Sequence, residues 1–270
     1  MSVFTDTIKT VLSFRNKLSG GLAVKVIYHE DFNQTYCSDP AADSGRIESV
    51  YKVIRNSVTF VDAIPAEKED IAAVHSTSHI DYVTDAGLYD ISALAAGGAI
   101  QAAMTGLKEP CFALIRPPGH HASFDSSWGF CFFNNMAIAI QKLKRTGMIE
   151  RAFILDIDLH FGDGTVNLLE RSGFVTLYNP SSSTRSEYLK KVEENLFSEE
   201  ADIIGISAGF DNHLDDWGGL LDTADYTEIG RMVRKASQKN NGGYFAILEG
   251  GYNHRVLGNN VMALLEGMEG

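Results

Sequence analysis

The sequence predicts an α/β protein of three layers, a mostly parallel sheet between two sets of helices, built as one domain over residues 1–270. Short apolar runs rich in Val, Ile, Leu and Phe alternate with longer stretches of helical period, which is the pattern of β-α-β units. No internal repeat or low-complexity linker divides the chain, and its length suits one large core. Several of the apolar runs also end at a turn that carries histidine, aspartate or tyrosine, which bears on function.

Residues 1–20 read as an amphipathic prefix, with Phe4, Ile8, Val11 and Leu12 at helical spacing ahead of Ser19-Gly20-Gly21. Residues 22–29 are the first expected strand, and an Asp-, Ser- and Pro-rich loop runs on to Gly45. Ile47, Val50, Tyr51 and Ile54 then mark a helix, and residues 71–74 a short strand. Residues 92–105 form a helix of small residues whose Gly97-Gly98 pair implies close packing against a neighbour. Residues 111–115 are a buried-type strand leading into Arg116-Pro117-Pro118-Gly119-His120-His121, where two prolines fix the backbone beneath a histidine pair.

A helix from residue 134 to 145 precedes the most informative stretch, residues 153–164. Apolar and polar residues alternate there, so Asp156, Asp158 and His160 would share one side of a strand. Gly162-Asp163-Gly164 turns the chain into a helix over 165–171. Residues 174–178, 203–207 and 244–248 are further strands, and helices are expected around 188–197, over 223–239 and over 254–267.

The net charge of −12 argues against a general nucleic-acid surface, because phosphate contacts need clustered Lys and Arg, and it suits a cationic substrate. Only three cysteines occur, Cys37, Cys111 and Cys131, in no C-x-x-C spacing. That usage points to a reducing, cytoplasmic setting. No apolar run reaches the ~18–20 residues of a membrane span, and the N-terminus lacks the layout of a signal peptide.

In a parallel sheet the C-terminal strand ends lie along one rim, so His120-His121, Asp158 with His160, Asp211 and Tyr252 can meet there. Burying a pair of carboxylates costs several kcal/mol unless a cation or donors compensate it. Two Asp and one His form three ligands and leave a coordination position open, as a catalytic metal requires.

The segments RPPGHHA, GFCFFNN, DIDLHFGDGT, SAGFD and LEGGY, in that order, resemble those of the histone deacetylase, acetylpolyamine amidohydrolase and acetoin-utilisation superfamily, whose fold is arginase/deacetylase-like. The resemblance runs from about residue 24 to near the C-terminus. It implies Asp158, His160 and Asp211 as ligands of a zinc ion, a set that also tolerates Fe(II) or Co(II). It implies that His120 and His121 activate water and shuttle its proton, oriented by Asp156 and Asp163, and that Tyr252 donates to the oxyanion. Gly129, Phe130 and Gly250 would line a narrow substrate channel, and Arg46 would stand near the product cavity. A structural potassium ion would sit beside Asp156, Asp158, His160, Thr176 and Leu177. The implied reaction removes an acetyl or other acyl group from an amine such as an acetylpolyamine or acetyl-lysine, with no direct nucleic-acid or membrane partner.

The chain departs from the family pattern in three places. Phe161 stands where many relatives have a second histidine; residues 179–201 lack the Gly-rich loop that supplies an aromatic channel wall; and residues 76–90 are too brief for an acidic rim loop. A more open mouth is expected, or a wall borrowed from a second subunit in a homo-oligomer. Two rival readings are an arginase-like ureohydrolase with two manganese ions and an inactive acyl-binding module. The first needs another acid two residues beyond Asp211, where His213 stands, and the second is disfavoured by the intact set of reactive residues.

Overall fold

The computed structural model describes residues 24–269, so the prefix expected over 1–20 lies outside the described residues. Seven strands form one sheet: β1 (Lys25–Tyr28), β2 (Thr59–Asp62), β3 (Cys111–Ala113), β4 (Ala152–Asp156), β5 (Val175–Tyr178), β6 (Ile203–Ala208) and β7 (Gly243–Leu248). Their order is β2-β1-β3-β7-β6-β4-β5, and every neighbouring pair is parallel. The sheet is therefore wholly parallel. Strands β3, β4, β6 and β7 are buried along their full length, which is why they read as continuous apolar runs, whereas the edge strands β2 and β5 are partly exposed.

Adjacent residues of β7 show the layering. The Tyr244 hydroxyl donates to the Met268 carbonyl of the helix Leu257–Glu269. Phe245, pointing the other way, packs beside Gly106 of the helix Tyr89–Gly106. The glycine pair of that second helix does meet a neighbour: a Cβ at Gly97 would collide with the Ile64 carbonyl, and one at Gly98 would stand 2.8 Å from Ile115 Cγ2. The helix Asn135–Arg145 begins where the Asn134 side chain accepts the Ala137 N–H at 2.9 Å. The helix Thr223–Asn240 opens on a capping box of Asp222 and Asp225.

Two local expectations need correction. Residues 71–74 are the end of the helix Lys68–Ala72 and its turn, not a strand. Ile71 and Val74 are buried while Ala72 and Ala73 are exposed, so the spacing of three residues, with about 1.5–3 kcal/mol for each buried side chain, selects a helix. The strand in this region is instead β2, whose edge position left it half-buried and short of an apolar signature. The second correction concerns residues 153–160: β4 ends at Asp156, and Asp158 and His160 stand in the loop beyond it.

The strand order positions the site. β3, β7, β6 and β4 are consecutive neighbours, so the segments leaving their C-terminal ends, at residues 114–121, 249–252, 209–211 and 157–163, reach the same rim.

Candidate active site

Past the end of β4 the alternating acids act as local caps. Asp156 Oδ1 accepts the Asp158 N–H at 3.2 Å, and Asp158 Oδ1 accepts the His160 N–H at 2.9 Å. Each carboxylate thus closes a turn two residues on, and the period of two arises from successive turns and not from a pleat. The loop carries Asp158 and His160 to Asp211, which follows β6. Ligand atoms of these three residues lie within 4.8 Å of one another. His160 Nδ1 is 3.3 Å from Asp158 Oδ1 and 3.1 Å from Asp211 Oδ2.

Asp158 and Asp211 are buried, and their charges are close enough to matter. Burial and then the Asp158 charge push the Asp211 carboxyl up to about 6. Burial opposes ionisation of Asp158, but the charges and hydrogen bonds of His120 and His160 hold it well below the usual range. His160 is pushed up to about 10 by the neighbouring carboxylates, Asp158 first and then Asp211. Asp211 Oδ2 is buried with no aligned hydrogen-bond donor. An orphaned carboxylate oxygen beside a second acid and an imidazole fits a divalent cation held by two oxygens and one nitrogen.

Two histidine–carboxylate pairs flank this triad. His120 Nδ1 is 3.1 Å from Asp156 Oδ2, and His121 Nδ1 is 2.6 Å from Asp163 Oδ1. The two imidazole centroids are 4.0 Å apart. Burial disfavours charge on His120, yet Asp158 and Asp156 outweigh it and raise its pKa well above 6.5. Burial, and then the His120 charge, lower His121 to about 4.

A cavity of about 110 Å³ opens on these groups, lined by His120, His121, His160, Phe130, Trp217 and Tyr252 among others. Tyr252 is fixed by its main chain, whose N–H donates to Asp216 Oδ2 at 2.8 Å. Burial, and then Asp158, raise its phenol pKa, so the hydroxyl keeps its proton and can donate. Phe130 meets Tyr252 edge-on at 5.9 Å, and Trp217 stacks on it at 4.0 Å. Gly129 also borders this cavity, at a φ of +58°, and a Cβ there would strike the His121 ring. Gly250 is wedged against the acids: its N–H donates to Asp158 Oδ2 at 2.9 Å, and a Cβ would stand 2.5 Å from that oxygen.

Three further residues named from the sequence, Arg46, Thr176 and Leu177, lie outside the lining of this cavity. Arg46 is wholly buried; its Nε and Nη2 donate to the carbonyls of Gly251 and Glu249, and its guanidinium lies 5.5 Å from the Tyr252 ring centre. It supports the tyrosine loop from behind and does not border the 110 Å³ cavity. Thr176 and Leu177 lie on β5 in register with Phe153 and Ile154, below the strand end that carries Asp156.

Comparison with known proteins turns on this arrangement and its motifs. The model of the histone deacetylase domain matches residues 41–188 and 174–268. The chain belongs to the histone deacetylase domain family. A probable deacetylase of Methanothermobacter thermautotrophicus is 30% identical, over 84% of this chain and 85% of that protein. The histone deacetylase-like amidohydrolase of Pseudomonas aeruginosa is 26% identical over 77% of this chain and 70% of its own length. An acetylpolyamine amidohydrolase 2 of the same organism is 30% identical over 59% of this chain and 56% of that protein. The HDA15 HD domain superposes with a TM-score of 0.78 at 22% identity, covering 91% of this chain and 89% of that one, which shows the shared fold.

A second cavity of about 440 Å³ opens beside His160, lined in part by Asn179, Ser181, Ser182 and Ser183. The aromatic wall of the 110 Å³ cavity is formed chiefly by Trp128, Phe130 and Trp217. Sequence reasoning missed both tryptophans and also Glu249. Trp128 and Trp217 are the chain's only two tryptophans, and Trp128 immediately precedes the GFCFFNN segment, which was the available signal. Glu249 is fully buried behind the histidine pair, accepting the Gly119 N–H at 2.7 Å and the His120 N–H at 3.3 Å. Burial pushes it up to about 7. Its place in LEGGY offered no sign of that role.

Proposed function

We propose that this chain is a metal-dependent amidohydrolase, one catalytic domain that removes an acetyl group from a primary amine, an acetylpolyamine or an acetyl-lysine side chain. The observation that carries the reading is an Asp-His-Asp triad and two histidine–carboxylate pairs gathered around a cavity that His120, His121, His160 and Tyr252 line. Zinc held by Asp158, His160 and Asp211 would polarise the amide carbonyl and lower the pKa of water; iron(II) or cobalt(II) suits the same donors.

The protein's own groups account for the rest. The histidine pair takes the proton from the attacking water at His121 and returns it to the departing amine. Asp156 and Asp163 hold the two rings in orientation. The Tyr252 hydroxyl donates to the oxygen on which negative charge develops. Phe130 and Gly129 border the chain that leads to the amide. A potassium ion beside Asp156, held with the main chain of Asp158 and His160 and with Thr176 and Leu177, would brace the loop. The free thiols of Cys37, Cys111 and Cys131 support a cytoplasmic setting.

Similarity to an acetylpolyamine amidohydrolase and the net charge of −12, which suits a cationic substrate, support a small acetylated amine. A binuclear ureohydrolase is less well supported. Both ring nitrogens of His213 are engaged, Nδ1 by the Asp215 N–H at 3.0 Å and Nε2 with Thr223 Oγ1 at 3.2 Å, so it is not free to hold a second ion. The test is a panel of acetylated polyamines, acetyl-lysine peptides and longer acyl-lysines offered to zinc-loaded protein and to Tyr252→Phe. Acetyl-amine turnover that falls about 10²- to 10³-fold in the variant, with metal content intact, is expected. No turnover of any amide by the loaded wild type would overturn the reading.

A further inference from the structure

We infer that Trp128 is a positioning residue for the His121–Asp163 pair, acting through the N–H edge and one face of its indole. Its Nε1–H donates to Asp163 Oδ2 at 2.9 Å, while Asp163 Oδ1 faces His121 Nδ1 at 2.6 Å. The two oxygens of one carboxylate are thereby committed to two rings, and the carboxylate cannot rotate without breaking a bond. At the same time the indole stacks on the His121 ring, centroids 3.8 Å apart and planes 29° from parallel. Trp128 is itself 55% exposed, so it forms the boundary between His121, which is 3% exposed, and solvent.

The local backbone exists to make this contact. Gly129 and Phe130 both adopt positive φ, +58° and +69°, which folds the chain back so that Trp128 lies over one part of the histidine while Gly129 touches its edge. A left-handed conformation at phenylalanine costs about 1–2 kcal/mol, and it is accepted where a close contact requires it. Trp128 touches none of Asp158, His160 and Asp211 in any hydrogen bond or ring contact of the described residues. Its influence therefore falls on the proton-transferring pair and not on the ligand set. A large, half-exposed aromatic placed only to widen a hydrophobic wall would need no partner for its N–H; this one has a charged partner, and that partner orients a histidine.

The inference rests on the proposed amidohydrolase reading for its kinetic consequence alone. The experiment compares zinc-loaded wild type, Trp128→Phe, which keeps a ring over His121 but loses the N–H, and Trp128→Leu, which loses both. Three quantities are read: kcat and KM on an acetylated amine, bound metal, and the imidazole ¹⁵N and ring N–H proton resonances of His121. Trp128→Phe should lower kcat roughly 10-fold and Trp128→Leu up to roughly 100-fold, with KM within about twofold and metal unchanged. The His121 N–H resonance should shift in both, more in Trp128→Leu. Unchanged kcat and unchanged resonance in both variants overturn the inference, as does a rise in KM alone, which would make Trp128 only a substrate wall. Wild type without amidase activity, combined with shifted resonances, would sink the functional reading and leave the positioning role standing.

Discussion

The site contains the same pair twice, in two different surroundings. His120–Asp156 lies inside, both side chains at most 4% exposed, backed by Glu249 and beside Asp158. His121–Asp163 lies outside, with the Asp163 side chain 35% exposed and covered by Trp128. The inner pair is governed by crowded charge in a dry interior, where a cation is the efficient counterweight. The outer pair depends on an aromatic lid that excludes water and fixes a carboxylate. Identical residue chemistry therefore has different dependencies: the inner half on charge balance, the outer half on shape.

Paired glycine substitutions separate the two halves most sharply. Gly250→Ala forces a methyl against the carboxylates of Asp158 and Asp211, so metal content should collapse and turnover should fall by about three orders of magnitude or more. Gly129→Ala strains a positive φ and displaces His121, so turnover should fall about 100-fold while metal stays bound. Equal metal content in the two variants would erase the distinction. Trp217→Ala, which uncovers one face of Tyr252, should raise KM by roughly fivefold and lower kcat less, as measured on the same acetylated amine.

The scaffold beneath the outer half offers a gentler test through pH. His75 is buried with Nδ1 against the Ser123 carbonyl at 2.8 Å and Nε2 accepting the Asn134 N–H at 2.9 Å, so only the neutral ring fits. Burial, then His79, press its pKa from 6.5 to about 4. The unfolded chain takes up this proton near pH 6.5 and the folded chain only near 4. Stability is therefore complete above pH 6.5 and is lost as pH falls through that window, by up to about 3 kcal/mol. His75→Gln should remove that contribution, so the urea-unfolding free energies of wild type and variant should converge as pH drops from 7 to 4.5. A constant difference would show that His75 does not titrate this way.

What could be read from sequence follows the same division. The central strands, the residues at their ends and the inner acids were legible because complete burial of β3, β4, β6 and β7 leaves continuous apolar runs and because acids at their mouths are conspicuous. The helix at residues 68–72 and edge strand β2 were not, since four apolar or small residues satisfy either period and an edge strand needs no apolar run. The outer half was hidden for a further reason: Trp128 and Trp217 acquire meaning only when loop backbones lay them on His121 and Tyr252, and positive φ at Phe130 has no sequence signature. The hydrogen bonds of Arg46 to the Gly251 and Glu249 carbonyls were not legible, because a buried guanidinium serving main-chain carbonyls looks in sequence like any arginine in a helix.

The most direct test of the account is the amount of divalent metal bound per chain, by elemental analysis of dialysed protein, in wild type and in Asp211→Asn. One ion per wild-type chain, and far less than one in the variant with hydrolysis lost in proportion, is the predicted result. Two ions per chain, or full retention by Asp211→Asn, would contradict a single catalytic cation held by Asp158, His160 and Asp211.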